Sequence, residues 1–179
     1  TISPANVATI NDKLDSLNFG GPRIETGIVP SGFDSTNLFG RLDHRINDSN
    51  QFSARYSLYD ISALNSRTVG GLNAVSRGTN LDNLDQTIAV SNVTALSPRT
   101  INEARFQYTR SRLEAPVQDE IGPAVNIAGV ASFGTATFSP LARNIDLFEF
   151  VDNVATQRGN HAIKAGADFL LNRVDIFFP

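Results

Sequence analysis

Apolar and polar residues alternate with period two over several long stretches of the chain, as they do in a strand whose faces meet different surroundings. Leu38, Gly40, Leu42, His44 and Ile46 fall on one face, and Phe39, Arg41, Asp43 and Arg45 on the other. Past a polar break, Phe52, Ala54, Tyr56 and Leu58 oppose Gln51, Ser53, Arg55 and Ser57. Pairing Ile46 with Phe52 keeps like faces together, sets Leu42 against Tyr56 and Asp43 against Arg55, and leaves Asp48-Ser49-Asn50 as a three-residue loop. A one-residue slip would carry Arg55 among the leucines, so the pattern specifies the faces strongly. It predicts a hairpin over residues 37–60. Asp43 and Arg55 are expected to form a cross-strand ion pair.

Two further hairpins are expected over residues 86–110 and 145–173. The first turns at Ser97-Pro98-Arg99-Thr100, where proline cannot donate to a ladder, and the second at Gln157-Arg158-Gly159-Asn160. Ala104, Phe106 and Tyr108 oppose Glu103, Arg105, Gln107 and Thr109, and Ile163, Ala165, Ala167 and Phe169 oppose Lys164, Gly166 and Asp168. In 86–96 and 145–156 the alternation is too weak to assign faces. Residues 1–34 read as an irregular segment with one helix over Ala5–Leu17, where Pro4 suits a first turn and Val7, Ile10, Leu14 and Leu17 form a stripe. Residues 61–84 and 111–144 read as long loops, both beyond the length usual for structureless connections.

The expected fold is therefore all-β, an antiparallel meander of about six strands with short turns on one side and long loops on the other. Outer-membrane barrels have that asymmetry. A two-sheet sandwich with one solvated face has the same periodicity, and periodicity alone leaves both open.

Composition changes the picture only by exclusion. The 179 residues carry a net charge of −3, so no basic field invites nucleic acid. The absence of cysteine removes disulfides, thiolate metal sites and a cysteine nucleophile. No apolar run approaches the ~18–20 residues of a membrane helix, although a barrel strand needs only ~9–11 alternating residues. The first residue is not Met and the last residues form an apolar run, so the chain reads as a fragment.

No enzymatic constellation is found, and no cofactor or metal site is expected. The two histidines, His44 and His161, lie far apart with no HExxH, and neither a G-x-S-x-G elbow nor a G-x-x-x-x-G-K loop occurs. Gly70-Gly71 is a lone loop pair. Asp82, Asp85, Asp119 and Glu120 lack calcium-loop spacing and read as solvated carboxylates.

GRLDHRIND-x-x-QFSARYS, then TALSPRTINEARFQYTR, then the series Asp152, Asn153, Gly159, Asn160, His161, Ile163, Lys164, Gly166 and Asp168 resemble the early barrel strands of TonB-dependent outer-membrane receptors. The Oar-like branch, with its carboxypeptidase-regulatory-like module, is the most similar, and ISPANVATINDKLDSL is similar to the segment before its Gly-Arg-x-Asp-His strand. The resemblance spans essentially the whole chain. It implies a bacterial outer-membrane protein, embedded in outer-membrane lipid, that takes up a scarce ligand with energy from TonB. The family's plug domain and TonB box are not among these residues, nor are most of its about 22 strands. On this reading Arg41, Asp43, Arg45, Arg55, Glu103, Arg105, Lys164 and Asp168 line the lumen. Leu42, Tyr56, Phe106, Tyr108 and Ile163 face lipid, and the loop aromatics Phe133 and Phe138 either pack loop on loop or meet ligand. With no Trp, Tyr56, Tyr59, Tyr108 and the phenylalanines are left to form an aromatic girdle.

Overall fold

The computed structural model describes residues 1–25, 27–67 and 69–178. Six long strands form one antiparallel sheet in sequence order: β1 (Gly32–Asn47), β2 (Asn50–Arg67), β3 (Thr79–Ser97), β4 (Thr100–Ala115), β7 (Leu141–Arg158) and β8 (His161–Phe177). A short helix, α1 (Pro4–Ser16), precedes them, and a small hairpin, β5 (Val125–Ile127) with β6 (Ala131–Phe133), interrupts the meander. Strands β1 and β8 are the edges.

The strands outrun the expected hairpins. β3 has 19 residues, about 60 Å at the usual rise, roughly twice the ~9–11 residues that cross a bilayer. The extra length lies at the long-loop end and converts much of the expected loops 61–84 and 111–144 into strand. Hydrophobic contrast fades there: Asp60, Ser62, Arg110, Arg112, Arg143 and Asn144 continue the ladders without an apolar face to reveal them. The ladder persists because its backbone groups still need partners.

The first hairpin pairs differently from expectation. His44, not Ile46, lies opposite Phe52; Leu42 faces Ala54, and Asp43 faces Ser53. The turn holds two residues, Asp48-Ser49, between paired Asn47 and Asn50. The Asn47 side-chain oxygen closes it, accepting from the Ser49 backbone N–H at 2.9 Å and from the Asn50 amide at 3.1 Å. A register irregularity between Arg45 and Asn47 absorbs Ile46 as the extra residue. The second hairpin repeats the device: Ser97 pairs Thr100, the Ser97 hydroxyl accepts from the Arg99 N–H at 3.2 Å, and Leu96 falls at the irregularity. The register moves by two residues, so every side chain keeps its face.

The core lies at one end of the sheet rather than on it. Ile2, Ile24, Ala74, Ala131 and Phe133 are buried together, with Val7, Ile10, Leu14, Val125 and Val130 packed against them. Helix α1 is capped by Ser3, whose hydroxyl accepts from Asn6 N–H, with Pro4 in its first turn. Three of its four stripe residues reach the cluster; Leu17 stays 63% exposed. Asn11 exchanges two hydrogen bonds with the Ile24 backbone, at 2.9 and 3.0 Å, and so fastens the return of the chain. Across the cap, Ser132 donates its N–H to Leu72 and its carbonyl accepts from Ala74, a single parallel bridge that ties the β2–β3 connection to the small hairpin. The Arg77 guanidinium donates to the Thr135 carbonyl (2.6 Å) and the Thr137 hydroxyl (2.7 Å).

Gly134 is the tightest point of this cap. Its φ is +79°, and a Cβ there would collide with the Pro123 carbonyl oxygen. Gly134→Ala should loosen the cap by about 1–3 kcal/mol while leaving the long strands intact. Hydrogen exchange of the full-length protein should then speed up at residues 70–78 and 121–134 and stay unchanged in β3 and β4. Unchanged cap protection would show that the glycine is not needed.

Candidate functional site: a two-faced sheet and its loop cap

Reading across the ladders gives the chemistry of each face. One row runs Arg41, Arg55, Ala89, Gln107, Glu149 and Leu170, and the next Asp43, Ser53, Ser91, Arg105, Val151 and Asp168. Arg45 lies in the same row as Glu103, and Lys164 is one strand step from Ala155 on that face. All eight residues expected to line a lumen therefore share one face. Arg41, Arg55, Glu103, Arg105 and Glu149 surround a hollow of about 300 Å³ on it.

The pairing on this face differs from expectation. Arg55 lies opposite Arg41, not Asp43, and like charges so placed repel. Asp43 instead takes a two-pronged bond from Arg41 on its own strand, at 2.8 and 2.9 Å. Glu103 and Arg105 stand in the same i, i+2 relation at 3.8 Å. Two residues along a strand lie on one face within reach of an arginine, which the two-residue register shift made the available partner. Among the described residues Arg55 has no ion-pair partner.

The opposite face carries the rows Leu42, Ala54, Val90, Phe106, Phe150, Phe169 and Gly40, Tyr56, Ile88, Tyr108, Phe148, Leu171. Ile163 lies on it too, opposite Thr156. Tyr56 and Tyr108 share a row, and both point their hydroxyls the same way, toward the long-loop end. Tyr56 donates to Gln86 at 3.0 Å and Tyr108 to Asp146 at 2.6 Å, while the Tyr108 ring packs on Phe148. Such a side chain belongs at the edge of an apolar layer, with its ring inside and its hydroxyl outside. Tyr59, expected in the same girdle, lies on the polar face opposite Asn37 and Asp85. Toward the tight turns the middle strands turn polar again, and the groups satisfy one another: Asn102 donates to Asp152 at 2.6 Å, and Thr94 to Asn50 at 2.7 Å.

Among the described residues no second sheet covers the apolar face, and Leu42, Phe106, Phe150 and Phe169 remain between 39% and 68% exposed. A sandwich would have buried them against a facing layer. His44 lies opposite Phe52 on this face, and His161 pairs with Arg158 beside a tight turn. No group of metal-binding side chains occurs among the described residues.

Of the two loop aromatics, Phe133 is 7% exposed inside the cap core, so of its two expected uses, loop packing and ligand contact, its ring serves packing. Phe138 is 68% exposed and stacks on Phe178 with ring centres 5.9 Å apart. The sequence reading missed an apolar cavity of about 460 Å³ between α1 and the small hairpin, lined by Ile10, Leu14, Phe19 and Val125 among others. Its walls come from segments more than a hundred residues apart, which no local pattern connects.

A single-layer antiparallel sheet, apolar on one face and charged on the other, is the wall of a transmembrane β-barrel. The chain matches the outer membrane beta barrel domain over residues 26–179, and it belongs to that family. Its location is the bacterial outer membrane. No curated protein and no solved structure matches it.

The two faces should respond oppositely to charge. In the full-length barrel, Leu42→Arg should cost roughly 2–4 kcal/mol if the site lies near the bilayer midplane, and Ser53→Arg close to nothing, by urea unfolding in lipid vesicles. Equal penalties would contradict the assignment of faces.

Proposed function

We propose that the chain is part of a TonB-dependent receptor that binds a scarce ligand at its long-loop end and imports it, with no enzymatic step. The observation that carries this reading is the asymmetry between the two ends of the sheet. One end closes in two-residue turns at Asp48-Ser49, Pro98-Arg99 and Gly159-Asn160. The other projects strands of 16–19 residues, well beyond a bilayer, and carries a packed cap with its own small core. A porin-like channel gains nothing from a cap of that kind, whereas a receptor gains a preformed surface on which to meet ligand.

Two features support the reading. The motif series over β1, β2, β4, β7 and β8 resembles the early barrel of these receptors. The charged face carries arginines and carboxylates on every strand pair, suited to a polar lumen facing a plug domain, through which TonB would act. Strands β1 and β8 have unpaired outer edges, and a barrel must close, so further strands of the same protein are assigned to both edges. On this reading the eight charged residues face the lumen and Leu42, Tyr56, Phe106, Tyr108 and Ile163 face lipid. Phe138 is the exposed loop aromatic available to ligand.

The tight turns then face the periplasm and the cap faces outward. Glu120→Cys in the full-length receptor should react on whole cells with a membrane-impermeant thiol reagent, while Ser49→Cys and Arg158→Cys should not. The same cells should give a cross-link between the receptor and TonB. Labelling only at the turns would invert the topology. A correct topology without the cross-link would leave a barrel that is not a TonB-dependent receptor.

A further inference from the structure

The girdle row marks where the apolar layer ends, and the next rows toward the long loops are unlike anything else on that face. Beyond Tyr108, Phe148 and Leu171 comes the row Arg110, Asp146 and Arg173, and beyond that Arg112, Asn144 and Asp175. Two residue steps along β4 and β8, about 7 Å, separate the girdle row from Arg110 and Arg173, and two more bring in Arg112, so that three arginines flank β7 from its two neighbouring strands. These side chains surround a shallow hollow of about 360 Å³.

The arginines are only partly neutralised. Asp146 is already engaged by the Tyr108 hydroxyl at 2.6 Å and stands 3.9 Å from the Arg110 guanidinium, too far for a hydrogen bond. Asp175 is the other carboxylate of the hollow. Among the described residues Arg112 and Arg173 have no ion-pair partner. On β4 the spacing of Arg110 and Arg112 puts both guanidinium groups on the same outward face, with Arg173 across β7 from Arg110.

We propose that Arg110, Arg112 and Arg173 form a binding site for the phosphorylated headgroup of an outer-leaflet lipid, whose acyl chains lie along Phe106, Phe150 and Phe169. The inference rests on the outward orientation of the apolar face and of the long loops. Guanidinium groups match phosphate oxygens with paired, planar hydrogen bonds. Just outside the hydrocarbon layer, each cation strengthens attraction to an anionic lipid surface about fivefold, an effect that falls off within a Debye length. A soluble anion would find the same arginines, but not the adjoining aromatic rows that hold an acyl chain.

The test uses the full-length receptor in detergent and native mass spectrometry, with three probes: the phosphorylated glycolipid of the outer leaflet, its dephosphorylated form, and inorganic phosphate. The phosphorylated lipid should bind in a one-to-one complex. Arg112→Gln or Arg173→Gln should each weaken it about fivefold, Arg173→Lys should weaken it less, and the dephosphorylated lipid should bind poorly. Arg55→Gln on the opposite face keeps the same charge change away from the hollow and should leave binding intact. Equal binding of both lipid forms, or equal loss with Arg55→Gln, would overturn the site. Binding of inorganic phosphate as tight as that of the lipid would make it an anion site without a lipid partner. If cysteine labelling instead places the long loops in the periplasm, arginine-dependent binding would persist while the outer-leaflet source would fall.

Discussion

Inside a bilayer nothing but the protein can satisfy its backbone, and the rest of this structure follows from that. Along the continuous ladders of β2, β3, β4 and β7 the backbone groups find their partners on neighbouring strands, so the sheet can expose its side chains freely on both faces. Leucines and phenylalanines that would be a liability on a water-soluble sheet are the natural outward surface of this one. The same requirement makes the free edges of β1 and β8 informative: each is a row of unpaired groups that only another strand can complete.

Side chains then adjust to a layer whose polarity changes along the strand. On β4 the apolar face runs from Phe106 through Tyr108 to Arg110, that is, from ring to ring-with-hydroxyl to cation within four residues. Tyr56 and Tyr108 each place a hydroxyl at the level where a partner first becomes available, Gln86 in one case and Asp146 in the other. On the other face the charges are met along the strand, Arg41 by Asp43 and Arg105 by Glu103, leaving Arg55 without an ion-pair partner among the described residues. Exposed pairs of this kind contribute little stability, ~0–1 kcal/mol each. Their consequence is a hollow lined by arginines and carboxylates of both signs. The cap adds a conventional core, small and built from residues such as Ile2, Ile24 and Phe133 that lie far apart in the chain.

Much of this was legible in the residues before any coordinates. The parity of Leu42, Arg41, Phe106, Arg105, Ile163 and Lys164 assigns each to its face, because successive strand side chains alternate regardless of what pairs with them. Pro98 and the Asn47–Asn50 run announce tight turns, and Pro4 with the Val7, Ile10, Leu14 and Leu17 stripe announces α1. Faces in 86–96 and 145–156 could not be assigned, since Ile88 and Val90 alternate with Ala89, and Phe148 and Phe150 with Leu147 and Val151; there the contrast between sides is too small.

What the sequence determined by itself was thus local: the period, the turns, the helix and the faces of the strands whose alternation is strong. Only the tertiary structure decided the register, the reach of the strands and the company each residue keeps. A two-residue shift preserves every face, so the hydrophobic pattern is silent about it, and the Asn47 side chain closing its turn settles the matter. That shift takes Asp43 from Arg55 and gives it to Arg41. Likewise Arg110, Arg112 and Arg173 are ordinary surface charges in sequence; β7 brings them together by hydrogen bonding to β4 on one side and β8 on the other. Contacts across a ladder depend on where two distant segments align, and alignment is set by backbone pairing and turn geometry that no single stretch contains.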